Sequence, residues 1–167
     1  YGYGEVDYDS SQFKDFEIQN ILMSLYSEYA QDNWYIDGVF NFGLNYYEGG
    51  RNITVGSTKY HPTFDYWGQQ YTGYVEAGYH IDVDDSFTVT PVGSLNYTHT
   101  HFNDYSESGA GEKNLRVDDQ DYDMLEIGLG LELAYDIVFE NGAKLIPEVR
   151  GMWYWDTIGE EVDMTSR

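Results

Sequence analysis

Cysteine is absent from this 167-residue chain, which excludes a disulfide framework and any thiolate metal site. Proline is rare, at 3 residues. Cations are scarce: 8 Lys and Arg stand against 30 Asp and Glu, a net charge of -22. Phosphate binding needs a basic face, and no such face exists here, so nucleic acid is excluded as a partner. No stretch approaches the ~18 consecutive apolar residues that a spanning helix requires. The chain also contains no phosphate-cradling Gly loop, no nucleophile elbow and no HExxH motif, so no catalytic residue and no cofactor is indicated.

What fills the chain instead is tyrosine and glycine, 18 of each, with aromatics at 18%. Tyr is a strand former and suits places that are apolar at one end and wet at the other. The mean hydropathy of -0.56 reads as hydrophilic, yet a membrane β-barrel averages out the same way because its strands alternate apolar and polar positions. Such alternation is the organising pattern. Leu125, Ile127, Leu129, Leu131, Leu133, Tyr135 and Ile137 oppose Glu126, Gly128, Gly130, Glu132, Ala134 and Asp136. A helix would scatter those apolar residues around its circumference; a strand stacks them on one side. The run is too long for an average half-buried strand and fits the ~9–11 residues of a membrane-spanning one.

The pattern recurs in Trp34–Tyr46, Trp67–Ile81, Phe87–Tyr97 and Leu145–Trp155, with a shorter run at Ile21–Leu25 and a strand-like opening at Tyr1–Tyr8. Seven strands are expected. Their polar faces carry charged groups, amides and Gly in mid-strand, while the apolar faces form a continuous wall that a soluble sandwich would have to cover with a second one. Closing the sheet, with lipid outside and a wet lumen inside, satisfies both faces and the backbone. An outward Leu129 should therefore not tolerate charge, whereas Gly130→Ser on the polar face should matter little.

Connections alternate in length. Short turns fall at Gln31–Asn33, Val83–Ser86 and Glu140–Ala143, the last with an Asn141-Gly142 pair expected to form a tight hairpin. Long polar connections fall at Asp9–Gln19, Glu48–Asp65 and Asn103–Asp121. That asymmetry is the pattern of outer-membrane barrels, with short periplasmic turns and long extracellular loops. Aromatics sort accordingly into two girdles: Tyr29, Trp34, Tyr79, Phe87 and Tyr135 beside the short turns, and Tyr46, Trp67, Tyr97, Trp153 and Trp155 towards the long loops.

Several stretches resemble the autotransporter β-domain, in that family's order and over nearly the whole chain. They include Ser24-Leu-Tyr-Ser-Glu-Tyr29, Asp32-Asn-Trp-Tyr-Ile-Asp-Gly38, Gly73-Tyr-Val-Glu-Ala-Gly-Tyr79, Val89-Thr-Pro-Val-Gly-Ser-Leu-Asn-Tyr97 and Pro147-Glu-Val-Arg-Gly-Met-Trp153. The resemblance implies an all-β, antiparallel transmembrane barrel of about twelve strands, of which residues 1–167 would form one partial domain of about seven. On that comparison roughly three strands precede Tyr1 and two follow Arg167, and the chain is expected to be part of a longer precursor. It implies a translocator rather than an enzyme, located in the bacterial outer membrane, that anchors and delivers an N-terminal passenger. Its implied partners are outer-membrane lipid and lipopolysaccharide, the barrel-assembly machinery during insertion, and its own passenger and linker helix. The absence of cysteine suits a chain that crosses the periplasm unfolded.

The same resemblance turns the lumen-facing Asp37, Glu76, Glu126, Glu132, Glu148 and Arg150 into candidates for contact with the linker; an ion-pair network or plain hydration is the structural alternative. His99 and His101 share a face two residues apart, with no third metal ligand in the sequence, so no metal is assigned. The acidic run Val117–Asp123 lacks the Gly and terminal Glu of a calcium loop and reads as a solvated face. Besides the translocator, two readings share part of this pattern: a self-contained porin or adhesin barrel, and an outer-membrane hydrolase, which needs a Ser/His/Asp set at the rim.

Overall fold

The computed structural model describes residues 1–6 and 16–158, with only the backbone of residues 5 and 6 described. The elements follow in order: β1 (Gly2–Val6), β2 (Phe16–Gln31), β3 (Trp34–Gly50), β4 (Ile53–Val55), β5 (Thr58–Tyr60), β6 (Thr63–Tyr79), β7 (Ile81–Asp82) and β8 (Phe87–Phe102). Then come β9 (Tyr105–Ser106), a 3-10 turn (Gly111–Lys113), β10 (Arg116–Val117), β11 (Gln120–Tyr135), β12 (Ile137–Val138), β13 (Lys144–Leu145) and β14 (Glu148–Asp156). One antiparallel sheet runs β1-β2-β3-β6-β8-β11-β14, each strand beside its predecessor among the seven. The short strands make small hairpins at the ends: β4 with β5, β9 with β10, and β12 with β13. The sheet is an open, partial barrel wall, with β1 and β14 each paired on one side only.

Directly paired residues share a face, so the register sorts every side chain. Phe40 lies between Leu25 and Gly73, Leu95 between Val75 and Ile127, and Leu129 between Gly93 and Trp153. These apolar residues stand out from the wall; Leu129 is 54% exposed and Phe40 48%. The other face is crowded although no second layer covers it: Thr90, Val92, Ser94, Thr98 and Glu76 are all buried there. A single sheet buries one face only by curving, so that side chains converge on the concave side and splay on the convex one. The alternation read from the sequence is thus an apolar convex face and a largely polar concave one.

The strands are longer than the alternation alone indicates. β3 and β6 have 17 residues and β2, β8 and β11 have 16, against the ~9–11 needed to cross hydrocarbon. On β11 the convex face is apolar from Leu125 to Tyr135, then turns polar at Asp123 and Asp121. The surplus therefore lies at the long-loop end. Here the expected loops shrink: Glu48–Gly50 and Thr63–Asp65 belong to β3 and β6, and Phe16–Gln19 belongs to β2. Asp121 likewise belongs to β11. The rest of the first long connection, and the chain after Ile158, lie outside the described residues.

Two further expectations are corrected. The Asn141-Gly142 pair is not the centre of a two-residue turn, which would need positive φ at both positions. Gly142 alone has it, at φ 80, and its N–H bonds to the Phe139 carbonyl at 2.9 Å. Glu140 and Asn141 are therefore the turn's centre, with Gly142 as the following left-handed residue. Gly130 does not tolerate a side chain either. A Cβ there would overlap the Met152 side chain and the Gly151 carbonyl of β14, and backbone cannot step aside cheaply. At Gly78 a Cβ would meet the ring of Tyr35, which would have to move away from Glu76 to make room.

Leu129→Arg should cost about 2–4 kcal/mol at mid-membrane, and Gly130→Ser should also be strongly destabilising. Gly43→Ser, on the same concave face but with only ordinary contacts around its Cβ position, should be nearly neutral. Denaturant unfolding of the barrel in bilayers measures all three; equal tolerance of Leu129→Arg and Gly43→Ser would contradict the assignment of faces. The open edges set a second expectation, because each unpaired backbone group in hydrocarbon costs several kcal/mol. Residues 1–167 refolded alone in detergent should not give a compact, heat-modifiable monomer on unheated gels, and addition of further strands should be required.

Candidate functional site on the concave wall

The concave face carries a cross-strand row of three carboxylates. Glu28 on β2 lies opposite Asp37 on β3, which lies opposite Glu76 on β6. Like charges directly opposite one another are destabilising, and the wall answers this at Glu76. Arg150 reaches across from β14 to donate a hydrogen bond to Glu76 Oε2, which also accepts from Tyr74, while Tyr35 donates to Oε1 at 3.0 Å. Arg150 Nη1 lies 3.9 Å from Glu132 Oε2 as well. Asp37 has no such help, and its buried Oδ1 lacks a hydrogen-bond partner.

Of the six charged candidates, the structure gathers Asp37, Glu76, Glu132 and Arg150 into one region and leaves two apart. Glu126 lies beside Asn96 and Asp156, and the exposed Glu148 lies beside Ala134. Sequence reasoning missed Tyr35 and Tyr74 as partners of Glu76. Parity alone places both on the polar face, so a phenol there, rather than at a membrane interface, was the available clue.

The aromatic candidates sit on the convex face at two heights. At the short-turn end Trp34 pairs with Tyr79 and Phe87 with Tyr135. At the long-loop end Tyr46 packs on Trp67 with ring centroids 5.0 Å apart, and Trp153 lies 6.3 Å from Trp155. Tyr97 pairs with Leu125 and donates a 2.6 Å hydrogen bond to Asp123. His99 and His101 are on this face too, each bonded across the strand pair: His99 to Asp123 at 2.9 Å and His101 to Asp121 at 2.7 Å. The acidic run is therefore not a solvated loop throughout. Its second half lies in β11 and partners the histidines, and among the described residues no group of three or more such side chains is arranged to hold a metal ion.

A second aromatic group went unnoticed in the sequence. Tyr47, Tyr66, Phe64 and Phe102 lie on the concave face at the long-loop end, with Tyr47 and Tyr66 stacked at 4.8 Å. Above them the two long loops are folded, not splayed. Arg51 holds Glu107 through two bonds of 2.6 and 2.8 Å, and Glu107 also accepts the Leu115 N–H at 2.8 Å. Burial would raise the Glu107 carboxyl, but the Arg51 bonds and the Leu115 N–H outweigh it and hold it below the usual carboxylate range.

This geometry defines the class: an antiparallel transmembrane β-barrel wall, apolar towards lipid, charged towards its interior, with ordered loops at one end. Within that class, the chain belongs to the autotransporter β-domain family, whose model matches residues 1–167. It is similar to an esterase, EstA, of Pseudomonas aeruginosa, 26% identical over 137 residues, which cover 80% of this chain and 21% of that protein. It is also similar to outer membrane protein A of Rickettsia conorii, 23% identical over 143 residues, 81% of this chain and 7% of that protein. A third relative is a putative uncharacterized protein, YaiT, of Escherichia coli, 23% identical over 164 residues, 96% of this chain and 15% of that protein. The chain thus spans about a fifth or less of the length of these relatives. It is an outer-membrane protein of the translocator type.

Removing Arg150 should strand the Glu76 charge beside Asp37. Arg150→Met should cost about 3 kcal/mol, at the low end for a broken buried pair because the arginine is partly open to the lumen. Combining it with Glu76→Gln should recover part of that loss, as unfolding of the intact β-domain in micelles would register. The loop pair adds a pH expectation. A carboxyl depressed in the folded state stabilises above its unfolded pKa, and that contribution is lost as pH falls through the folded one. Exchange protection of the Leu115 amide should hold through mildly acidic pH and fail only below the ordinary carboxylate range, and Glu107→Gln should remove that dependence.

Proposed function

We propose that this chain is the barrel wall through which an autotransporter anchors an N-terminal passenger and delivers it to the cell surface. The observation carrying the reading is the two-faced wall itself. A predominantly apolar convex face is paired with a charged concave one, over a stretch that the family model matches from end to end. The relatives support a carrier role. Similar stretches of 137 and 143 residues occur in an esterase and in an outer membrane protein, which supports a shared part that serves different attached domains.

In this reading Asp37, Glu76, Glu126, Glu132, Glu148 and Arg150 line the lumen and contact the linker that joins barrel to passenger. Trp34, Tyr79, Phe87 and Tyr135 seat in one membrane interface, and Trp67, Tyr97, Trp153 and Trp155 in the other, where rings with a polar tip are favoured. The outer interface brings the wall against lipopolysaccharide, and insertion proceeds with the barrel-assembly machinery.

The experiment is surface labelling of the full-length precursor in cells. Since the chain has no cysteine, single cysteines at Gly56 or Glu112 should react on intact cells, and those at Asn141 or Asp84 only after the outer membrane is opened. Passenger should be removed by external protease while the barrel stays protected. Labelling at Asn141 on intact cells would refute the orientation; a folded barrel with no surface passenger would favour a self-contained porin or adhesin.

A further inference from the structure

The long connections are folded, and their contacts fix where they sit relative to the lumen. Tyr105 in β9 stacks on Tyr66 with ring centroids 4.7 Å apart and an interplanar angle of 11°, and packs on Phe64 at 5.1 Å. Both partners point to the concave side. The loop of residues 103–119 therefore leans over the inside of the wall and not away from it. It is tied there to the loop of residues 51–62. Thr63 and Ser108 exchange both backbone hydrogen bonds at 2.9 Å, and Pro62 is fully buried between them and their neighbours. Arg51, whose own N–H bonds to the Pro62 carbonyl at 3.0 Å, grips Glu107, of which the side chain is 3% exposed. The Lys113 ammonium lies 5.6 Å over the Tyr60 ring.

We infer that the two long loops form one folded cap over the extracellular mouth of the barrel, latched by Arg51 and Glu107 and seated on the concave aromatic shelf. The inference rests on the translocator reading for its role: the cap swings aside while polypeptide passes and closes the mouth afterwards. The physical case is that the contacts are of two kinds. The stacked rings and the latch are side-chain contacts, and the two backbone bonds between Thr63 and Ser108 join the loop to the first residue of β6; both kinds can separate without unzipping the pairing of β3, β6, β8 and β11. The hinge is the pair of backbone entries at Gly50–Arg51 and Asn103, the latter bonded through its N–H to the Trp67 carbonyl at 3.0 Å. With its carboxylate 3% exposed and its guanidinium 28%, the pair exchanges mutual contact for hydration of both groups when it opens, so closed and open are two arrangements with compensating interactions.

The test uses the complete β-domain in planar bilayers and the full-length precursor in cells. Glu107→Gln, nearly isosteric, should raise the fraction of time the pore is open severalfold and speed trypsin cleavage at Lys113 and Arg116 to a similar degree. The exchange Arg51→Glu with Glu107→Arg should return both towards the parent. Thr63→Cys with Ser108→Cys joins side chains whose oxygens are now 3.4 Å apart. Once oxidised, this pair should abolish openings, and reduction should restore them. Heat-modifiable mobility shows that each variant is folded. Open fraction unchanged by both Glu107→Gln and the oxidised cysteine pair would overturn the cap. Should openings follow the latch while the parent precursor displays no passenger, the cap stands and the translocator reading is the one that fails.

Discussion

Hydrocarbon offers a backbone N–H or C=O no water to turn to, so each must find its partner within the protein. Between the open edges of β1 and β14 that demand is met by strand pairing, from Gly2 against Asn20 at one side to Glu126 against Asp156 at the other. The rest of the wall follows from it. Pairing fixes alternation, alternation gives each strand two faces, and curvature makes one of them crowded and the other open. Thr90 and Val92, two positions apart on the concave side, are buried by their own neighbours, while Leu131 between paired Pro91 and Gly151 stands out at 54% exposure. The wall needs no conventional core because lipid covers one side and crowding covers the other.

A wall so acidic has to place its few cations with care. Two buried carboxylates, Glu76 in the concave face and Glu107 in the loops, each receive an arginine, Arg150 and Arg51, at the expense of the exposed surface. Arginine suits both sites because it stays charged and presents several donors in a fixed plane. Arg51 uses two nitrogens on one carboxylate; Arg150 divides its fork between Glu76 and Glu132. Elsewhere histidine serves as the partner, as at Asp121 and Asp123 on the convex side.

Which face a residue takes was legible in the sequence, since parity within a run is local information. The opposite faces of Glu126 and Trp153 accordingly follow from spacing alone, and the short turns mark which strands are joined as hairpins. Register was not legible. Arg150 and Glu76 are 74 positions apart, and Arg51 and Glu107 are 56 apart, so nothing local brings them together. The same gap hid the link between His99 and Asp123, which became visible only once β8 and β11 were aligned. Gly130 was misjudged for a related reason. Its polar neighbours suggested space for a hydroxyl, but its actual limit is the backbone of the adjacent strand at Gly151.

The surplus length of the strands connects the wall to its loops. Beyond Tyr97 and Leu125 the convex face gives up apolar residues, yet β8 and β11 continue in register to Phe102 and Gln120. The same is true of β3 and β6, which stay paired to Gly50 and Thr63. A wall raised above the lipid in this way presents its concave side to water, where rings such as Phe64, Tyr66 and Phe102 would be costly to leave bare. Tyr105 and the loop that carries it supply the cover. The rings therefore explain why a connection rich in Asp, Ser and Gly is ordered, and the height of the strands explains why the rings are there to be covered. Hydrophobic burial, absent from the lipid-facing wall as an internal driving force, reappears at the one end where the wall meets water on both sides.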